Sequence, residues 1–270
     1  MSNTSTSSGS GSSTTMVSPM QPLLWFVIMT IIYIYFLFTN KKNLGGGGAN
    51  EMVYFGIYIL LVIAGEFFLN VNITKSICGS SQWYTAFMVT IFPWIFIFGI
   101  LVVLLKMFPS WLQPFSNTIG YAVTLAAGLT SVFKNIIPPE DKRSGNVDSG
   151  VSRSLEYIYS NSGLLINLIT PSNFNNFYNR MKNDGLIIGD PVDLKEQLYS
   201  MVVLKETVSL AVWYLLAGIL ITSVSYNSIV NAGCQVSASE MQSRHDEYEK
   251  QMENVQSTTE SSTRVYSTNE

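Results

Sequence analysis

A chain of 270 residues with 12% charged and 47% hydrophobic side chains, and a mean hydropathy of +0.26, is part membrane and part water-facing. Its net charge of −3 offers no basic field to draw in nucleic acid. Two cysteines, Cys78 and Cys234, are too few for a disulfide scaffold or a cysteine-rich metal site.

Residues 1–20 are dominated by Ser, Thr and Gly and are predicted to be a disordered tail. With no Lys or Arg before Met20 to make the basic start of a signal peptide, the first apolar run is expected to remain as a span. That run is Pro22–Thr39, closed by Asn40, Lys41 and Lys42. The glycines of 45–48 lack the GK[ST] of a phosphate loop and read as a hinge. Val53–Val71 is the second predicted span and carries one acid, Glu66. An acid at that depth is costly and faces protein or water. It is either an ion or proton site, or a group near the helix end that reaches the interface or Lys75. Trp83 and Tyr84 suit an interfacial belt before the third span, Thr85–Lys106, which Pro93 should kink. Trp111, between Pro109 and Pro114, marks the opposite interface.

Asn117–Phe133 is of marginal length, and Gly120, Thr124 and Gly128 form a small-residue stripe that packs closely on another helix. Pro138–Ser154 is polar and reads as a loop. Leu155–Gly189 is Asn-rich with apolar islands and reads as a small helical elaboration. Asp190 then suits an N-cap and Pro191 the first helical position. Leu194, Leu198, Met201 and Val202 recur at helical spacing, and Thr207–Tyr226 is free of charge and long enough to cross a bilayer. One unbroken helix over 191–230 is predicted, half in water and half in membrane. Beyond it, Ser239 and Gln242 make a capping box. Met241, His245, Tyr248, Met252 and Val255 then alternate four and three residues apart, as in a heptad seam. This is either a solvated helix or one that docks on a partner. His245, the only histidine, has no second His or Cys beside it to make a metal site.

The expected fold is all-α, a multi-pass membrane protein with four transmembrane helices, or five if 117–133 crosses. A membrane domain over 21–133 precedes an insertion over 134–190, the long helix of 191–230 and a polar tail of 231–270. Four spans place eleven of the fifteen basic residues on one face, which the positive-inside tendency favours. They also put Cys78 and Cys234 on the same face at similar depth, where they form either a disulfide or two unrelated thiols. No Ser/His/Asp set, paired intramembrane acids or metal spacing appears, so neither an enzyme nor a cofactor site is expected.

Two blocks carry a resemblance. IFPWIFIFGILVVLLKMFPSWLQPFSNTIGY with the following AAGL spans Ile91–Leu129, and VWYLLAGILITSVSYNSIVNAGC followed by EMQSRHDEYE spans Val212–Glu249. Together they resemble membrane-embedded minor capsid proteins of large icosahedral double-stranded DNA viruses, the chlorella-virus type among them, over roughly half the chain. That resemblance implies a structural virion protein in the inner membrane, reached through host endomembrane, that anchors the bilayer to the capsid shell. Its implied partners are lipid and other capsid or membrane proteins, with no small-molecule substrate and no catalytic residue. A small channel or transporter is the alternative.

Overall fold

The computed structural model describes residues 20–44, 50–137, 162–183, 187, 192–232, 234 and 238–261. The Ser/Thr tail, the four-glycine run, the 138–154 loop, Asp190, Pro191 and Arg264 lie outside them. The described residues are all-α. Four helices are long and apolar enough to cross a bilayer: α1 (Met20–Lys41), α2 (Glu51–Cys78), α3 (Trp83–Met107) and α7 (Val192–Asn231). Helix α4 covers residues 113–126, α5 Leu129–Ile136, α6 Phe174–Asn183 and α8 Ala238–Ser261. Helix α8 starts one residue before the predicted cap, so Ser239 lies inside its first turn.

The spans surround one core. Phe26 and Tyr33 of α1, Tyr58 of α2, Trp94 and Phe98 of α3, and Tyr214 and Ile221 of α7 are buried there. Rings fill the axis, with Tyr33 and Tyr58 stacked at 4.5 Å and Phe98 against Tyr214 at 4.8 Å between centroids. Apolar side chains cover the outside too: Ile28, Ile31, Leu60, Phe96, Ile100 and Leu220 are all exposed. A bundle apolar inside and out is built for lipid, because in water its outer face would be covered.

Helix α2 runs to Cys78, beyond the Val71 expected from sequence. Asn70 and Thr74 look like a chain leaving the membrane, yet both are buried. Asn70 Nδ2 donates to Thr90 Oγ1 of α3 at 2.8 Å, so these polar groups join helices rather than meet water.

Pro93 leaves a similar debt inside α3. It has no N–H for the carbonyl of Val89, and a π-helical turn over Trp94–Gly99 follows it. Ser225 of α7 fills the gap, donating to Val89 O at 2.7 Å. A freed carbonyl in hydrocarbon is tolerated when a neighbouring side chain satisfies it. Ser225→Ala is therefore expected to destabilise the bundle by roughly 1–3 kcal/mol. The loss should shrink when Pro93→Ala restores the backbone donor. Thermal unfolding of the four proteins of this cycle in detergent checks the coupling, and additive effects would refute it.

The 117–133 segment is not among the helices long and apolar enough to cross. It is broken at Gly128, whose φ of +98° suits glycine, so α4 ends there and α5 starts in a new direction. The 14 residues of α4 would be about 21 Å long, short of a hydrocarbon core of about 30 Å. Of the small-residue stripe, Gly120 lies on α7, where a Cβ would collide with the Lys205 carbonyl, and Thr124 is buried, but a Cβ on Gly128 would meet open space.

A second core sits at the end of the bundle where α7 begins. Helix α5 buries Leu129, Val132, Phe133 and Ile136, and α6 buries Phe174, Tyr178 and Met181. Both patterns have helical spacing. Ile166 and Ile169, from and after a short 3-10 turn (Ser162–Leu168), complete it with Leu198 and Val202 of α7. Asn173 joins the turn to α6: its Oδ1 accepts from Thr170 N at 2.8 Å and its Nδ2 donates to Leu168 O at 3.0 Å. This cap gathers residues on both sides of position 133, so the core does not respect the boundary drawn there from sequence. Helix α7 passes through both cores as 40 unbroken residues, about 60 Å.

Candidate functional site

Three places hold polar chemistry. The first is Glu66, which is fully buried. Twelve residues still separate it from the end of α2, and it reaches neither the interface nor Lys75, contrary to one of the two readings from sequence. It meets α3 instead: Trp94 Nε1 donates to its Oε2 at 2.9 Å, while Oε1 is buried with no hydrogen-bond partner. Sequence singled out Glu66 but missed Trp94, because a Trp within an apolar span reads as bulk.

The second is the junction of cap and bundle. Lys205, two residues before the charge-free half of α7, is buried. Its Nζ donates to Ile166 O at 2.6 Å, Ile169 O at 3.2 Å and Asn117 Oδ1 at 3.4 Å. An ammonium has three donors, and all three are used to tie the 3-10 turn and α4 to α7. Ser209 Oγ and Trp213 Nε1 continue the seam, donating to Leu112 O at 2.6 Å and Trp111 O at 3.0 Å. Beside them a cavity of about 310 Å³ is lined by Lys41, Glu51, Tyr199 and Glu206, over a floor that includes Leu37 and Leu210. Lys41 and Glu51 pair across it at 2.7 Å. Burial pushes the Glu206 carboxyl up, and Lys41 and Lys205 pull it back down. None of this was read from sequence. The one available signal was that Lys205 and Glu206 are the last charges before the span.

Burial also pushes Lys205 down to about 8, against a smaller upward pull from Glu206. A lysine in the unfolded chain titrates near about 10.4. Between these values the unfolded chain holds more protons, so stability should rise with pH from about 8 to about 10. Below that window the folded protein carries a buried charge. The thermal midpoint of the native protein, minus that of Lys205→Met, should therefore widen between pH 7.5 and 10. A flat difference would show that Lys205 does not titrate there.

The third place is the opposite face. Cys78, last residue of α2, is bonded to Cys234, three residues past α7, with their Cα atoms 5.4 Å apart. Arg244 of α8 donates to Cys78 O at 3.3 Å, which lays the start of α8 on the turn between α2 and α3. Further along, Met241, Tyr248 and Met252 are exposed, and His245 meets Glu249 at 3.4 Å. Among the described residues, no three His, Cys, Asp or Glu side chains gather to hold a metal ion. Chain order sets the charge of the two faces. Lys41, Lys42, Lys106, Lys134, Arg180, Lys182, Lys195 and Lys205 lie on the cap side, and Lys75, Arg244 and Lys250 on the disulfide side.

No protein-family model, curated protein or solved structure matches the chain.

Proposed function

We propose that this chain is a structural virion protein, a transmembrane minor capsid protein that anchors the inner membrane of a large icosahedral DNA virus to its shell. The observation that carries the tether is α7, one helix shared by the membrane core and the water-side cap. A body outside the bilayer is thereby held at a fixed height and orientation, which is what a docking element needs. The viral assignment is drawn from the Ile91–Leu129 and Val212–Glu249 blocks. Quantitative mass spectrometry of purified particles tests it. The protein should be present at a fixed ratio to the major capsid protein and leave with the membrane on detergent treatment. Presence in infected-cell membranes with absence from particles would overturn the proposal.

Glu66, with one oxygen unpartnered in mid-bundle, favours a second reading as a small ion or proton pathway. Ring packing along the axis opposes it. Flux through reconstituted vesicles that Glu66→Gln abolishes would choose the channel over the tether.

A further inference from the structure

The cavity beside the Lys205 seam lies where the bundle meets the water. Helix α1 ends on it at Lys41, α2 begins on it at Glu51, and Glu206 is the last charge before the apolar half of α7. Leu112, next to the interfacial Trp111, lines the same cavity. Lipid headgroups occupy this depth. Below it, Leu37 and Leu210 belong to the apolar core of the bundle. Polar groups over an apolar floor are what a binding pocket offers, and about 310 Å³ is at the small end of the usual range.

The charges of the cavity are not balanced from within. Lys41 and Glu51 pair at 2.7 Å, which accounts for one base and one acid. Glu206 is left over. It is half-buried and makes no hydrogen bond or ion pair with a described residue. Its neighbour Lys205 spends all three donors on Ile166, Ile169 and Asn117. A carboxylate partly out of water and without donors is costly, and an N–H brought from outside the chain removes that cost. Lys41, having given one N–H to Glu51, keeps two more. One opening therefore presents an acceptor for a cation and donors for an anion. A simple anion is disfavoured, since two acids and one lysine line the cavity. A metal ion is disfavoured too, because Lys41 already holds one of the two carboxylates. A zwitterion with an ammonium at one end and a phosphate at the other meets both charges. Its ammonium must carry N–H groups: choline has none, and Tyr199 is a single ring rather than an aromatic cage.

We propose that this cavity holds the headgroup of an ethanolamine phospholipid, its ammonium donating to Glu206, its phosphate accepting from Lys41, and its glycerol end over Leu37 and Leu210. Tyr199 packs on the cap core while Leu37 and Leu210 pack in the bundle, so the bound lipid fastens cap to membrane at a second place besides Lys205. The proposal is independent of the virion assignment, since the cavity belongs to one chain in any bilayer.

The test uses the full chain, freed of lipid in neutral detergent with its disulfide intact, and native mass spectrometry with added phospholipids of matched acyl chains. One phosphatidylethanolamine should bind at least about tenfold more tightly than phosphatidylcholine or phosphatidylglycerol. Equal affinities overturn the proposal. Glu206→Gln should weaken the ethanolamine lipid about tenfold, to the level of phosphatidylcholine. Glu196→Gln, an exposed acid on the same helix, should leave it unchanged. Full binding by Glu206→Gln, or equal losses in the two variants, overturns the site. The lipid-free thermal midpoint separates binding from folding. It should match or exceed that of the native protein in Glu206→Gln, because an unpaired acid is removed. A lower midpoint would mean that Glu206 is bonded within its own chain, and the site would fall. Glycerophosphoethanolamine, the same headgroup without acyl chains, should not displace the lipid at equal concentration. Displacement would give the cavity to a soluble ligand and overturn the assignment to lipid.

Discussion

Leu204→Pro is expected to split one unfolding event into two. Position 204 lies in α7 between the last apolar residue of the cap core, Val202, and the start of the charge-free half at Thr207. Proline there removes the bond to the Ser200 carbonyl and drives its ring against that carbonyl, at a cost of about 3 kcal/mol or more. The side chain replaced is only half-buried, so little packing is lost directly. What fails is continuity. The Lys205 bonds to Ile166, Ile169 and Asn117 depend on the helix direction at this point, as do those from Ser209 and Trp213. Calorimetry in detergent should show one transition for the native chain. For the variant it should show two, with the cap melting first. A single transition at the native midpoint would mean that the cap is held by contacts other than α7.

The second large effect is expected from Cys234→Ser. The bond joins residues 156 apart and closes a loop containing α3, the cap and all of α7. Removing a crosslink of a long loop costs roughly 2–4 kcal/mol, through the freedom returned to the unfolded chain. Spans that stay helical in detergent already restrict that freedom, which puts the loss toward the lower figure. Reductant should lower the thermal midpoint of the native protein and leave that of Cys234→Ser unchanged. The variant should also lose protection of α8 against protease, since the covalent anchor four residues before α8 is then gone. Equal responses of the two proteins to reductant would show that the bond contributes nothing to stability.

How far these features are legible in the residues depends on where their partners lie. Helix α7 is plain from sequence because its signals are local: a run of apolar residues at helical spacing, then twenty without charge. The spans are legible by length for the same reason. The end of α2 is not. Asn70 and Thr74 carry the signature of an exit into water, and only partners beyond their own helix turn them inward, Thr90 of α3 for Asn70 and the Gln82 N–H just before α3 for Thr74. Gly128 is ambiguous by nature, since the same residue serves close packing within a helix and a left-handed turn that ends one. The cap is the least legible part. Its apolar residues come in short islands around Val132, Ile166 and Tyr178, and none of these is large enough to bury itself within its own segment. They become a core only on the amphipathic half of α7, about 20 to 70 residues later in the chain. Lys205 illustrates the general difficulty, because a lysine before a span looks like a charge at the water's edge until two backbone carbonyls from a distant turn are seen to surround it.

The long helix and the crosslink together also describe a path for force. A pull on the cap enters α7 through Leu198, Val202 and Lys205 and runs along a single helical rod through the full thickness of the bilayer. At the far end it does not stop in lipid. The Cys78–Cys234 bond hands it covalently to the end of α2, and through the short turn after Cys78 to α3. Load applied on one leaflet is thus taken up on the other, where three helices share it. Extracting the protein by its cap means dragging the whole bundle with it, so the bilayer would deform before any one helix slid free.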